Sequence, residues 1–151
     1  RPNHAVFKLG DEITDEMAAG INCAYTQVYA GLDIAALKAG QTVVVQGAGG
    51  LGVYACAVAR EMGASQVVVI DGIDERLELA KRFGATDVVS ERGDEAVHEL
   101  DRLGALTGVA DTSGEKQDVY FCHDFCELGA IPDEGNAYIL TREEIERLVG
   151  E

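Results

Sequence analysis

Lysine is scarce in this chain, which has only Lys8, Lys38, Lys81 and Lys116. Its 12 basic residues face 27 acidic ones, for a formal net charge of −15. Nucleic acid is held by clustered lysine and arginine, so this balance excludes it as a partner. A chain this acidic repels itself at low ionic strength. It points either to a source adapted to high salt or to a protein that is soluble because it is acidic. A disulfide framework is also missing. Cys23, Cys56, Cys122 and Cys126 show no such spacing, and no signal-peptide pattern opens the sequence. A reducing, cytoplasmic setting is the expectation. No stretch reads as a membrane span. Ala39 to Ala59 is uncharged, but its five glycines, two glutamines and one threonine fit a strand–turn–helix better. No sequence repeat or low-complexity tract is present.

What is there reads as globular. The chain has 151 residues, 47% of them apolar and 26% charged, which is enough for one domain with a core. Residues 1–10 read as irregular or extended. Thr14 reads as a helix N-cap, with Asp15 and Glu16 in the first turn and an apolar-rich helix running to about Gly31. Thr42–Gln46 reads as a buried strand, and Leu51–Met62 as a helix of small residues. Gln66–Ile70 is a β-branched strand. Asp74–Phe83 follows as a helix capped by Asp74, with Leu77, Ala80 and Phe83 inward, and Gly84 closes it. Asp87–Val89 reads as a third strand. Asp94–Leu103 reads as a helix with Val97, Leu100 and Leu103 on one face, closed by Gly104.

Strands alternating with helices of this length predict βαβ units, and so an α/β fold with a parallel, doubly wound sheet of Rossmann type, incomplete at its far end. Val109–Thr112 is a candidate fourth strand. Ala137–Leu140 is a candidate strand, and Thr141 with Glu144 forms a capping-box pattern before a short helix to about Val149. The expected division is a lead-in over residues 1–40, a dinucleotide-binding core over 41–114, and a less regular segment over 115–151.

The chemistry points to "QGAGGLG", Gln46 to Gly52. It fits G-x-G-x-x-G through Gly47, Gly49 and Gly52. Gly47 lets the chain turn off the strand, Gly49 lets a pyrophosphate approach the backbone, and Gly52 lets the helix sit close to the strand. The helix N-terminus offers unpaired N–H groups and a partial positive charge. Asp71 ends the second strand, nineteen residues after Gly52, where its carboxylate can accept hydrogen bonds from ribose hydroxyls. The same carboxylate repels a 2′-phosphate, so NAD is favoured over NADP. The alternative is a glycine-rich turn that binds nothing.

"LKAGQTVVVQGAGGLG", "ASQVVVIDGIDERLELAKRFGATDVV" and "CAYTQVYAGL" together resemble the medium-chain dehydrogenases of the zinc-containing alcohol and polyol type. The likeness is close from about residue 11 to residue 90 and thins beyond. It implies the cofactor domain of a two-domain enzyme that transfers hydride between an alcohol and NAD, with zinc in the complete enzyme polarising the alcohol. It implies that Gly47, Gly49, Gly50, Leu51 and Gly52 hold the pyrophosphate and that Asp71 takes the ribose. It places Arg76 beside the adenosine ribose, a helix-surface role being equally open. Thr26 matches a threonine near the nicotinamide, the alternative being a hydroxyl bonded back to its own helix. Cys23 matches one zinc ligand, but the companion ligands belong to a domain outside this sequence, so zinc binding by this chain alone is not expected.

"VADTSG" resembles the family's pattern after its fourth strand, in shortened form. The expected partners are an alcohol in the complete enzyme and further copies of the chain in a homo-oligomer. "CHDFC", Cys122 to Cys126, reads as a local apolar helix or turn rather than a metal site. Cys56 reads as packed and inert, His98 as solvent-facing, and Tyr29 and Tyr54 as core or near-core. A non-catalytic, nucleotide- or partner-binding remnant is the main competing function. An S-adenosylmethionine-dependent methyltransferase is the third, disfavoured by "ERLELAKRFGA" after the acid.

Overall fold

The computed structural model describes residues 8–105, 119–122 and 137–138. Five strands form one sheet: β1 (Thr42–Gln46), β2 (Gln66–Ile70), β3 (Asp87–Val89), β4 (Val119–Cys122) and β5 (Ala137–Tyr138). Their order is β3-β2-β1-β4-β5. β1 lies parallel to both β2 and β4, β2 is parallel to β3, and β5 runs antiparallel to β4. The order reverses at β1, and in open α/β sheets that switch point, at the carboxyl ends of the strands, is where ligands bind.

The first three strands match the sequence expectation residue for residue. Each is a β-branched run, and Val43–Val45 and Val67–Ile70 are buried. Near-continuous apolar runs are what a parallel sheet covered on both faces requires. Beyond residue 114 the sheet gains β4 and β5. The expected strand at Val109–Thr112, the "VADTSG" pattern and the helix to Val149 lie outside the described residues. Cys122 is in a strand, not in a local helix or turn; its parallel pairing to Gln46 is the reason. His123 and Cys126 lie outside the described residues.

The leading helix is interrupted. α1 (Asp15–Gly20) passes into a π segment (Ile21–Tyr25) and then α2 (Thr26–Ile34), three residues beyond the expected end at Gly31. Thr14 caps α1 as expected, its Oγ1 accepting the Met17 N–H at 3.3 Å. α3 (Gly50–Glu61) lies on the sheet through Gly52, Ala55, Cys56, Val58 and Ala59, all buried. Small residues there let the helix axis approach the strands.

α4 (Asp74–Arg82) starts at Asp74, with Ile73 rather than Asp74 as its N-cap residue. Leu77 and Ala80 are buried, but Phe83 is exposed. Phe83 lies past the last helical residue, where φ of −100° has left the helical stripe. Gly84, at φ +112°, and the Ala85 N–H bonded to the Ala80 carbonyl at 3.0 Å complete the expected glycine stop. α5 (Asp94–Arg102) buries Ala96 and Leu100, with Val97 and Leu103 half-buried. Tyr29 is exposed, against expectation. Val28 and Leu32 take the inward face of α2, so Tyr29 turns outward and stacks on Tyr25 at 6.4 Å. Tyr54 is half-buried against the core, and His98 faces solvent, both as expected.

Candidate cofactor site

β1 and β2 run in register, Gln46 opposite Ile70, so the loops that leave them start at the same level. Gly47 leaves β1 at φ +92°, a conformation only glycine adopts freely, and its N–H donates to the Ile70 carbonyl at 2.8 Å. A Cβ on Gly52 would collide with the carbonyl oxygen of Gly47, so the first turn of α3 sits directly on the loop. Around Gly49 and Gly50 the situation is opposite: a Cβ at either would meet nothing within 4 Å. Gly49 is the N-cap residue of α3, and it has no side chain to bond the first amides of the helix. Two glycines thus shape the loop, and two leave open space in front of a helix N-terminus. Such a mouth suits an anion, because the exposed N–H groups and the helix dipole both favour negative charge.

Asp71 stands at the edge of this mouth. Its Oδ2 accepts the Ala48 N–H at 2.8 Å and its Oδ1 accepts the Ile73 N–H at 2.9 Å. The Arg76 guanidinium reaches Oδ2 at 3.8 Å, with the Asp71 side chain 9% exposed and that of Arg76 53% exposed. Each carboxylate oxygen has two acceptor directions and uses one on the backbone, so one is left on each, with the Arg76 guanidinium nearest Oδ2. Arg92 was not foreseen. Its guanidinium lies against Gly72, where a Cβ would stand 3.0 Å from Nε and 3.1 Å from Cζ. The register of Ile70 with Val89 brings the loops after β2 and β3 side by side, which residue spacing alone does not reveal. Ala48 was missed for the same reason.

Cys23 and Thr26 lie together on the leading helix. Cys23 is exposed within the π segment, as a free thiol. Thr26 follows it, and its Oγ1 donates to the Ile21 carbonyl at 2.5 Å, the back-bonded alternative. The segment rests on α3 through the edge-on pair of Tyr25 and Tyr54, 6.1 Å apart. The helix bearing Cys23 and Thr26 is therefore braced on the helix that the glycine loop begins.

A family of zinc-binding dehydrogenases matches residues 50–128, more than half of the chain. The chain belongs to the zinc-type medium-chain dehydrogenase family. An alcohol dehydrogenase of Geobacillus stearothermophilus is 38% identical over 112 residues, 74% of this chain and 33% of that protein. An L-threonine 3-dehydrogenase of Idiomarina loihiensis is 39% identical over 107 residues, 71% of this chain and 31% of the relative. The solved alcohol dehydrogenase of Thermus sp. ATN1 superposes with a TM-score of 0.60 at 33% identity, over 66% of this chain and 28% of that one. The chain thus spans about a third of the length of these relatives.

The open glycine mouth, with no side chain in front of the first amides of α3, has room and donors for an anionic group. Zinc is a different matter. Among the described residues no group of three or more His, Cys, Asp and Glu side chains gathers to hold a metal ion, so Cys23 belongs to no such group there. A shallow groove of about 420 Å³ is lined by Glu91, Asp94, Glu95, His98 and Glu99. Its four carboxylates repel phosphate, which separates it from the glycine mouth. Cys56 is buried, and its thiol donates to the Gly52 carbonyl at 3.1 Å. Burial pushes that thiol up from 9.0 to about 12, so it is inert at neutral pH, as expected. Among the described residues no helix is long and apolar enough to cross a membrane.

Proposed function

We propose that this chain is the NAD-binding part of a zinc-dependent alcohol or polyol dehydrogenase and does not turn over substrate by itself. The observation that carries the reading is the open space at Gly49 and Gly50, set between the N-terminus of α3 and the Asp71 carboxylate. In this reading the amides of Gly50, Leu51 and Gly52 receive the pyrophosphate. Asp71 accepts from the adenosine ribose, with Arg76 beside it. The bound nicotinamide supplies hydride transfer. NADP is less favoured, because a 2′-phosphate would meet the Asp71 carboxylate. The alcohol itself is met by parts of the enzyme outside this third of its length, together with the zinc ligands that would join Cys23. Thr26 stands on the braced helix, its hydroxyl proton given to the Ile21 carbonyl, so toward a nicotinamide it could act only as an acceptor. The reading includes a cytoplasmic, reducing setting and a homo-oligomer.

NADH fluorescence titration tests it. Saturable enhancement, displaced by ADP-ribose, is expected from a chain folded by circular dichroism. A folded chain that leaves NADH fluorescence unchanged sinks it. That outcome supports the second reading, a non-catalytic remnant that binds a partner.

A further inference from the structure

Asp71 joins two elements before any ligand arrives. Its Oδ2 holds the Ala48 N–H at 2.8 Å, inside the glycine loop, while Oδ1 holds the Ile73 N–H at 2.9 Å, at the start of α4. The side chain is 9% exposed, so these bonds compete little with water. Ala48 is pinned on its other side as well, since its methyl is buried in the core. The neighbouring Gly47 is tied to β2 through the Ile70 carbonyl at 2.8 Å. The stretch from Gly49 to Gly50, in contrast, meets nothing on its open side. Ala48 is therefore the last anchored residue before the exposed amides. The bond that anchors its N–H comes from the residue assigned to the ribose.

We propose that Asp71 is a positioning residue for the phosphate loop, holding Ala48 so that the amides after it point at the pyrophosphate, in addition to contacting the ribose. This rests on the cofactor reading above. One carboxylate then serves both halves of the adenosine diphosphate: one acceptor direction fixes the loop at Ala48, one holds Ile73 at the start of α4, and two are left for hydroxyls. Removing Asp71 has a consequence that a ribose contact alone would not produce. Ligands without ribose hydroxyls should also lose affinity.

The test is a thermodynamic cycle. Wild type and Asp71→Ala are titrated with NADH and with an NADH analogue whose adenosine ribose lacks both hydroxyls. The proposal expects the substitution to weaken the analogue at least tenfold, as the loss of a charge-assisted bond to a loop amide would do. Equal affinity of both proteins for the analogue overturns it, because Asp71 would then act through the ribose alone. A second readout needs no ligand. In the free protein, Asp71→Ala should speed hydrogen exchange at the Ala48 amide and shift its proton resonance upfield. The amides of Val67 to Val69 should stay protected. Exchange that rises equally throughout, or not at all at Ala48, overturns the proposal. If Asp71→Ala does not fold, Asp71→Asn keeps the volume and one acceptor oxygen, and it should lose protection at one of the Ala48 and Ile73 amides. Should wild type bind neither ligand, the cofactor reading falls, and exchange at Ala48 alone decides whether the latch exists.

Discussion

Replacing Gly49 by aspartate should separate the fold from its ligand. Gly49 has φ −72° and ψ −166°, a backbone conformation open to any residue and typical of an N-cap. A Cβ there meets nothing within 4 Å, so the free protein has room for the side chain. Aspartate is among the best N-caps. It should improve on glycine by a few tenths of a kcal/mol, with about 0.3–1 kcal/mol more from the helix dipole. The melting temperature should stay level or rise. Binding should move the other way. A carboxylate about 5 Å from the two charges of a pyrophosphate costs about 1.7 kcal/mol at the dielectric constant of water and about four times that at an effective value near 20. The lower figure already means a loss of about 18-fold in NADH affinity. Gly49→Asn is the comparator, being an equally good cap of similar size without the charge. Fluorescence titration and thermal melting of all three proteins read both effects. An Asp variant that is folded and binds NADH within twofold of wild type would refute the assignment of this mouth to phosphate.

Gly52→Ala should fail for the opposite reason, since its methyl meets the backbone carbonyl of Gly47. A loss of about 1–3 kcal/mol is expected, read by urea unfolding, and an unchanged midpoint would contradict the packing. Leu32→Ala empties a fully buried site on α2 and should cost about 2–5 kcal/mol by the same assay. Cys56 makes stability fall at alkaline pH. Its thiol ionises near 9.0 when unfolded, and burial raises this to about 12 when folded. As pH rises the unfolded chain releases its proton first, so the folded state binds more protons and loses stability between these values. The slope from this group is at most about 1.4 kcal/mol per pH unit, and Cys56→Ala should remove it. Mass-mapped alkylation should label exposed Cys23 and spare Cys56 until the protein unfolds; equal labelling of the two in native protein would count against the described burial.

Much of this was legible in residue order. β1 to β3 are runs of valine and isoleucine bounded by turn residues, and three of the helix stops are glycines at positive φ, Gly63, Gly84 and Gly104, the last two expected from the sequence. β4 escaped notice because a four-residue apolar run, VYFC, does not distinguish strand from helix by periodicity. The π segment has no propensity signature, so residues 15–34 look like an ordinary helix until the Thr26 hydroxyl is seen on the Ile21 carbonyl. At the site, the roles of Gly47 and Gly52 followed from spacing, and the structure supplies the strain and collision that require glycine at each. The contacts of Asp71 with Ala48, and of Arg92 with Gly72, depend on strand register. Register is a property of the assembled sheet, so no local pattern announces them.

The charge of the chain and the form of the proposed anion site together set the sign of the salt effect expected on binding. At −15, the whole protein repels an anionic dinucleotide over a range that salt shortens to about 10 Å at 0.1 M. The attraction at the mouth of α3 is of another kind, since backbone N–H groups act at hydrogen-bond distance and the dipole fades within a turn. Raising KCl therefore screens the repulsion more than the attraction. NADH affinity should rise with KCl over the range where the chain stays folded. A site built on arginine would behave in reverse, because its pairing with phosphate is itself screened. The guanidinium groups at hand are Arg76, already facing Asp71, and Arg92, lying on Gly72. Titrations from 0.05 to 1 M KCl would decide between the two, with melting curves on the same samples to track the fold. Affinity that falls steadily with salt would move the phosphate from the glycine amides to those arginines.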